Sequence, residues 1–162
     1  FGDFLKKIKK YSKKNQKTLF LKYKYEQVRL NLSDLNLSSL NTYINHFKTC
    51  LLTNGVIEVQ KNKVRSLNIE NLFDKIFYAR CKGAENEKPN PKAFQMICDH
   101  FNCEPSEVVF VGDHPINDIQ GAKRFGMSTV WTSEFTTHRD IPPEADYHIR
   151  NLSELSNILG VA

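Results

Sequence analysis

The sequence predicts an α/β fold in which a parallel sheet is covered by helices on both faces. Three observations carry that expectation. A chain of 162 residues at 40% hydrophobic and 25% charged is long enough to bury one core. From residue 48 onward, short β-branched and aromatic runs alternate with segments of helical period. Proline opens and glycine closes several of those helical segments, which is the asymmetry that helix ends favour. Strands and helices alternating at this length produce parallel pairing with helical crossovers.

Taken in order, Phe1, Phe4, Ile8 and Tyr11 recur at helical spacing. Lys6, Lys7, Lys9, Lys10, Lys13, Lys14 and Lys17 fill much of the rest, which predicts an amphipathic helix with a basic face. KTCLLTN (48–54) reads as the first strand of the alternating region, VIEVQKNKVRSL (56–67) as a helix and KIFYAR (75–80) as the next strand. PKAFQMICDHF (91–101) is a helix with proline in its first turn, and EVVFVGD (107–113) is the strongest strand of all. PINDIQGAKRFG (115–126) is a helix closed by Gly126, STVWTS (128–133) and DYHI (146–149) are strands, and NLSELSNIL (151–159) is the last helix. Phe94, Phe110 and Trp131 fall on core faces.

The net charge of +5 is local: residues 1–29 hold ten Lys and Arg against Asp3 and Glu26, and the remainder holds thirteen against sixteen acids. A solvated basic face explains it, with attraction of a phosphorylated ligand as the second reading. Nothing aromatic interleaves the lysines as a base-stacking platform requires, so nucleic acid is not expected. No apolar run approaches the roughly 20 residues of a membrane span, and residues 1–17 lack the apolar block of a secretory signal. A cytoplasmic protein without a membrane partner is expected. Cys50, Cys81, Cys98 and Cys103 show neither CxxC pairing nor zinc-type spacing and read as reduced, structural thiols.

Ligands of such sheets sit at the carboxyl ends of the strands, and that rule gathers the chemistry-bearing residues. Thr53, Asn54 and Gly55 follow the first of these strands, Lys88 lies in GAENEKPNP after the second, and Asp113 ends the third with Asp118 five positions on. A hydroxyl, an amide and a backbone N–H beside a helix start offer several donors to one phosphoryl group, and Lys88 adds a point charge. Asp113 and Asp118 suit magnesium, a hard cation that takes one or two carboxylates and otherwise keeps water and phosphate oxygens. Asp118 either binds through water or orients Lys88. His114 is placed to touch a substrate or to cap its loop, whereas His46, His100, His138 and His148 read as structural or exposed.

In that order, LLTNG, EKPNP and VGDHPINDI resemble the second, third and fourth motifs of the haloacid dehalogenase-like hydrolases. The resemblance runs from about residue 30 to residue 155 and is strongest to the branch with a helical cap, which includes sugar-phosphate and nucleotide phosphatases. It implies a three-layer, Rossmann-like core and magnesium-dependent hydrolysis of a small phosphorylated metabolite through an aspartyl-phosphate. In that scheme Thr53, Lys88 and Asp118 are catalytic, Thr53, Asn54, Gly55 and Lys88 bind the phosphoryl group, and Asp113 and Asp118 hold Mg2+.

The family's first motif, a strand ending in DxDxT that carries the nucleophile, has no counterpart in these 162 residues. Two expectations compete. In one, residues 1–30 are a partial helical cap, residues 31–162 are a core lacking the first-motif strand, and that motif lies upstream. In the other, LFLKYKYE is the strand itself, with Lys22 and Lys24 where the aspartates would stand. Without the motif, this chain alone is expected to be inactive. A noncatalytic relative that binds a phosphorylated ligand or a protein is the alternative function.

Overall fold

A computed structural model describes residues 2–136, 142 and 144–161 of the chain, so Phe1 and His138 lie outside the described residues. Helices α1 (Gly2–Lys7), α2 (Lys13–Tyr25) and α3 (Asp34–His46) precede strand β1 (Cys50–Thr53) and helix α4 (Ile57–Ser66). Strand β2 (Lys75–Tyr78), helix α5 (Pro91–Phe101) and strand β3 (Val109–Gly112) follow. A wide helical turn, Pro115–Gln120, runs into α6 (Gly121–Phe125), and β4 (Ser128–Thr132), β5 (Tyr147–Ile149) and α7 (Leu155–Leu159) complete the order.

All strand pairs among the described residues are parallel, and they form two groups. In one, β1 lies beside β2 with Leu52 opposite Phe77. In the other, β4 is central, with Val111 opposite Val130 and Trp131 opposite His148. No backbone pairing joins β1 to β3 among the described residues.

What joins the two groups is packing. Helix α5 starts at Asn90, whose side chain accepts from the Lys92 N–H, has Pro91 in its first turn and ends at Asn102 in the left-handed region. Its stripe of Ala93, Phe94, Ile97 and Cys98 is buried in one core with Leu52 and Phe77 from the first group and Phe110 from the second. Phe94 sits edge-on to Phe110 at 5.3 Å between ring centres and stacks on Phe125 at 5.9 Å. A second cluster, Tyr43, Val130, Ile149 and Leu155, packs α3 and α7 against β4 and β5. Because neighbouring residues of a strand face opposite ways, Phe110 serves the first cluster and Val111 the second.

The amino-terminal helices correct two expectations. The basic amphipathic segment is not one helix: α1 stops at Lys7, Lys9 takes φ 55°, and Ser12 starts α2 by accepting from the Asn15 N–H at 3.0 Å. Asn15 Nδ2 also donates to the Lys10 carbonyl at 2.8 Å, and such local side-chain bonds compete with helix continuation. Leu5 is buried, whereas Phe4, Ile8 and Tyr11 are exposed. Second, LFLKYKYE is not a strand. Lys22 and Lys24 lie in α2, where Lys24 pairs with Glu58 of α4 at 2.8 Å and its carbonyl accepts from Asn62 Nδ2 at 3.3 Å. Leu, Phe and Lys are serviceable helix formers once Ser12 has capped the start, and docking on α4 completes the choice. No helix among the described residues is long and apolar enough to cross a membrane.

Candidate active site

Lys88 is the meeting point of the site. Its side chain is only 10% exposed, and Nζ donates to Asp118 Oδ1 at 2.7 Å and to the Leu52 carbonyl of β1 at 2.9 Å. The same ammonium stands 5.3 Å over the Phe110 ring of β3, so one cation touches both strand groups. Its backbone is held by Asn54, whose Oδ1 accepts from the Lys88 N–H at 2.9 Å and whose Nδ2 donates to the Lys88 carbonyl at 2.8 Å. Asn54 was expected as a phosphoryl ligand; its paired bonds make it, first, the clamp that locates Lys88.

Asp118 is equally enclosed, at 9% exposure. One oxygen faces Lys88 and the other accepts from the His114 N–H at 3.1 Å. The turn that carries it is started by His114, whose Nδ1 accepts from the N–H groups of Ile116 and Asn117 at 3.2 and 3.1 Å. Gly112 makes room for this arrangement, since a Cβ there would fall 2.5 Å from Asp118 Cβ and 2.7 Å from Cγ. Asp113 is exposed, and its backbone carbonyl accepts from Trp131 Nε1 at 3.0 Å and Thr136 Oγ1 at 3.2 Å. Its carboxylate has no ion pair or hydrogen bond among the described residues.

Thr53 is half-buried and donates to Gln60 Oε1 at 3.0 Å. Gly55 follows with φ +109°, and a Cβ there would lie 2.9 Å from Gln60 Nε2. Gln60 therefore covers both residues. The Gly55 N–H donates to Glu87 Oε1, next to Lys88 in the chain. Arg80 holds that carboxylate in a fork, Nε to Oε1 at 3.0 Å and Nη2 to Oε2 at 2.8 Å. The Arg80 bonds, helped by the Gly55 N–H and opposed by burial, hold the Glu87 carboxyl below its ordinary range.

The fold thus gathers Thr53, Asn54, Gly55, Lys88 and Asp118 around β1 and β3, with Asp113 on the rim. Sequence reasoning did not single out Arg80, Glu87, Gln60 or Gly112. Adjacency was the available signal, because Glu87 precedes Lys88 and Gly112 precedes Asp113. Among the described residues, no group of three or more His, Cys, Asp or Glu side chains is arranged to hold a metal ion by itself. The donor set still suits a magnesium ion bound through one or two carboxylates and otherwise by water and substrate oxygens, with Asp113 the open carboxylate.

A family model described as haloacid dehalogenase-like hydrolase matches residues 3–132. The chain is 32% identical over 117 residues to a glyceraldehyde 3-phosphate phosphatase of Pyrococcus furiosus, a match covering 70% of this chain and 48% of that protein. It is 31% identical over 117 residues to (S)-2-haloacid dehalogenase 1 of a Pseudomonas species, covering 70% of this chain and 49% of that one. The solved structure of a HAD phosphatase from Thermococcus onnurineus aligns with a TM-score of 0.72 at 29% identity, over 99% of this chain and 70% of that one. The chain spans about half the length of the curated relatives it matches.

Proposed function

The chain belongs to the haloacid dehalogenase-like hydrolases, and on that premise we propose that it supplies the phosphoryl-binding and charge-balancing part of a magnesium-dependent phosphomonoester hydrolase. The substrate class is a small phosphorylated metabolite, in keeping with the three-carbon phosphate ester named for the Pyrococcus furiosus relative. The observation that carries this reading is the contrast between two carboxylates. Asp118 is neutralised by Lys88, whereas Asp113 is exposed on the rim and its carboxylate makes no ion pair among the described residues. An unbalanced carboxylate repels an anionic substrate unless a divalent ion stands between them, and a phosphate monoester supplies the oxygens that such an ion seeks.

In this reading Asp113 holds Mg2+ together with water and phosphoryl oxygens, and Asp118 keeps Lys88 in place. Bound there, the metal neutralises charge on the transferred group. Once released from Gln60 and Glu87, the Thr53 hydroxyl and the Gly55 N–H grip the phosphoryl oxygens with the Asn54 amide, and Lys88 steadies charge in transit. The nucleophilic aspartate belongs on a strand seated between β1 and β3, and residues 1–30 form part of a helical cap over the site. The break between the two parallel groups and the half-length match to the relatives support the first assignment.

The test uses the natural full-length protein, assayed with glyceraldehyde 3-phosphate and p-nitrophenyl phosphate at graded Mg2+. Turnover that requires the ion and falls at least about 100-fold in Asp113→Ala is the expected result. Halide release from 2-chloropropionate without added metal would replace this reading with dehalogenation. Phosphate binding without turnover would replace it with a noncatalytic ligand-binding protein.

A further inference from the structure

We propose that Glu87 is an internal competitor for the phosphoryl position and thereby selects phosphate dianions over carboxylate monoanions. The inference rests on the phosphoryl site proposed above. Glu87 Oε1 already accepts from the Gly55 N–H, the backbone donor offered where β1 turns toward α4. Arg80 anchors the same carboxylate through two bonds of 3.0 and 2.8 Å, and the Glu87 side chain is only 16% exposed. An incoming anion must take that N–H from a ligand already bonded to it.

The exchange treats two ligand classes differently. A carboxylate replacing Glu87 trades one carboxylate bond for another and has a single further oxygen to set against the repulsion of the acid it displaces. A phosphate dianion accepts from the Gly55 N–H while its other oxygens take the Thr53 hydroxyl from the neutral Gln60 amide and approach the Lys88 ammonium, paired with Asp118; Glu87 bonds to neither donor. Multiple acceptors on one ligand are what overcome the resident carboxylate. Displaced from Gly55, Glu87 retains Arg80, whose fork keeps the acid paired during the exchange.

Amide NMR of the natural full-length protein tests this by following the Gly55 resonance during titration with inorganic phosphate or acetate. Wild type, Glu87→Gln and Glu87→Asp are compared. Aspartate keeps the charge and the Arg80 partner but shortens the reach by one methylene. In wild type, phosphate should move the Gly55 amide and acetate should leave it in place. Both variants should bind phosphate about 5- to 10-fold more tightly and admit acetate, a change of roughly 1 to 1.4 kcal/mol. Equal phosphate affinity in all three proteins would overturn the competitor role and leave the phosphoryl site standing. Tightening in the glutamine variant alone would also overturn it, because the effect would then be one of distant charge. No movement of Gly55 with phosphate in any protein would remove the phosphoryl site itself and this inference with it.

Discussion

At the residue scale the Lys88–Asp118 pair is the most consequential contact of the site, because both partners are nearly out of water. Removing one member of such a pair strands the other charge, so Lys88→Met should lower unfolding stability by about 3 to 5 kcal/mol in urea titration. A loss of under about 1 kcal/mol would mean that Asp118 finds water on losing its partner. Gly112→Ala should cost about 1 to 3 kcal/mol, because the new Cβ would lie 2.5 Å from Asp118 Cβ and the aspartate must shift. Weakened phosphate binding should accompany that loss, since Lys88 follows Asp118. The sequence offered the pair as one of two readings of Asp118, the other being a metal bound through water, because EKPNP follows one strand and GDHPIND another. The bond between Glu87 and Gly55 was not legible there, because nothing in local pattern says which way an acid in a loop turns.

At the element scale, patterns set by neighbours along the chain were legible and those set by distant packing were not. Helix α5 falls on the predicted residues because Asn90, Pro91 and its apolar stripe are all local signals. Phe94 is fully buried in that stripe, so Phe94→Ala should cost about 3 to 5 kcal/mol, read as a lowered midpoint of thermal or urea unfolding. The stretch around Lys22 and Lys24 alternates apolar and charged residues as a strand does, yet docking on α4 made it a helix. The spacing of Phe1, Phe4, Ile8 and Tyr11 likewise suggested one amphipathic helix, but the chain breaks at Lys9, and Phe4, Ile8 and Tyr11 are exposed. The link between α6 and β4 gives a test by pH. Lys123 beside Asp146, aided by the Thr129 N–H and hydroxyl and opposed by burial, holds this carboxyl below its ordinary 3.8. A carboxyl lowered on folding stabilises the protein above its unfolded value, and that contribution fades as pH falls through the lower folded one. Asp146→Asn should therefore flatten the acid limb of the stability curve from about pH 4 downward, with little change in its slope above pH 5.

At the scale of the whole molecule, the backbone hydrogen bonds divide the sheet while the side chains do not. The core beneath α5 takes Leu52 and Phe77 from one strand pair and Phe110 from the other three strands, and Lys88 spans the same division at its polar end. Cooperativity follows shared burial more than shared ladders, and the β1–β2 pair has no private core to fall back on, because Leu52 and Phe77 lie in the cluster they share with Phe110. Amide hydrogen exchange should consequently find Leu52 in β1 and Phe110 in β3 opening with one common free energy and one common dependence on denaturant. An earlier, shallower opening of the β1–β2 pair would mean that it is a separate cooperative unit, resting on its neighbours without being part of them.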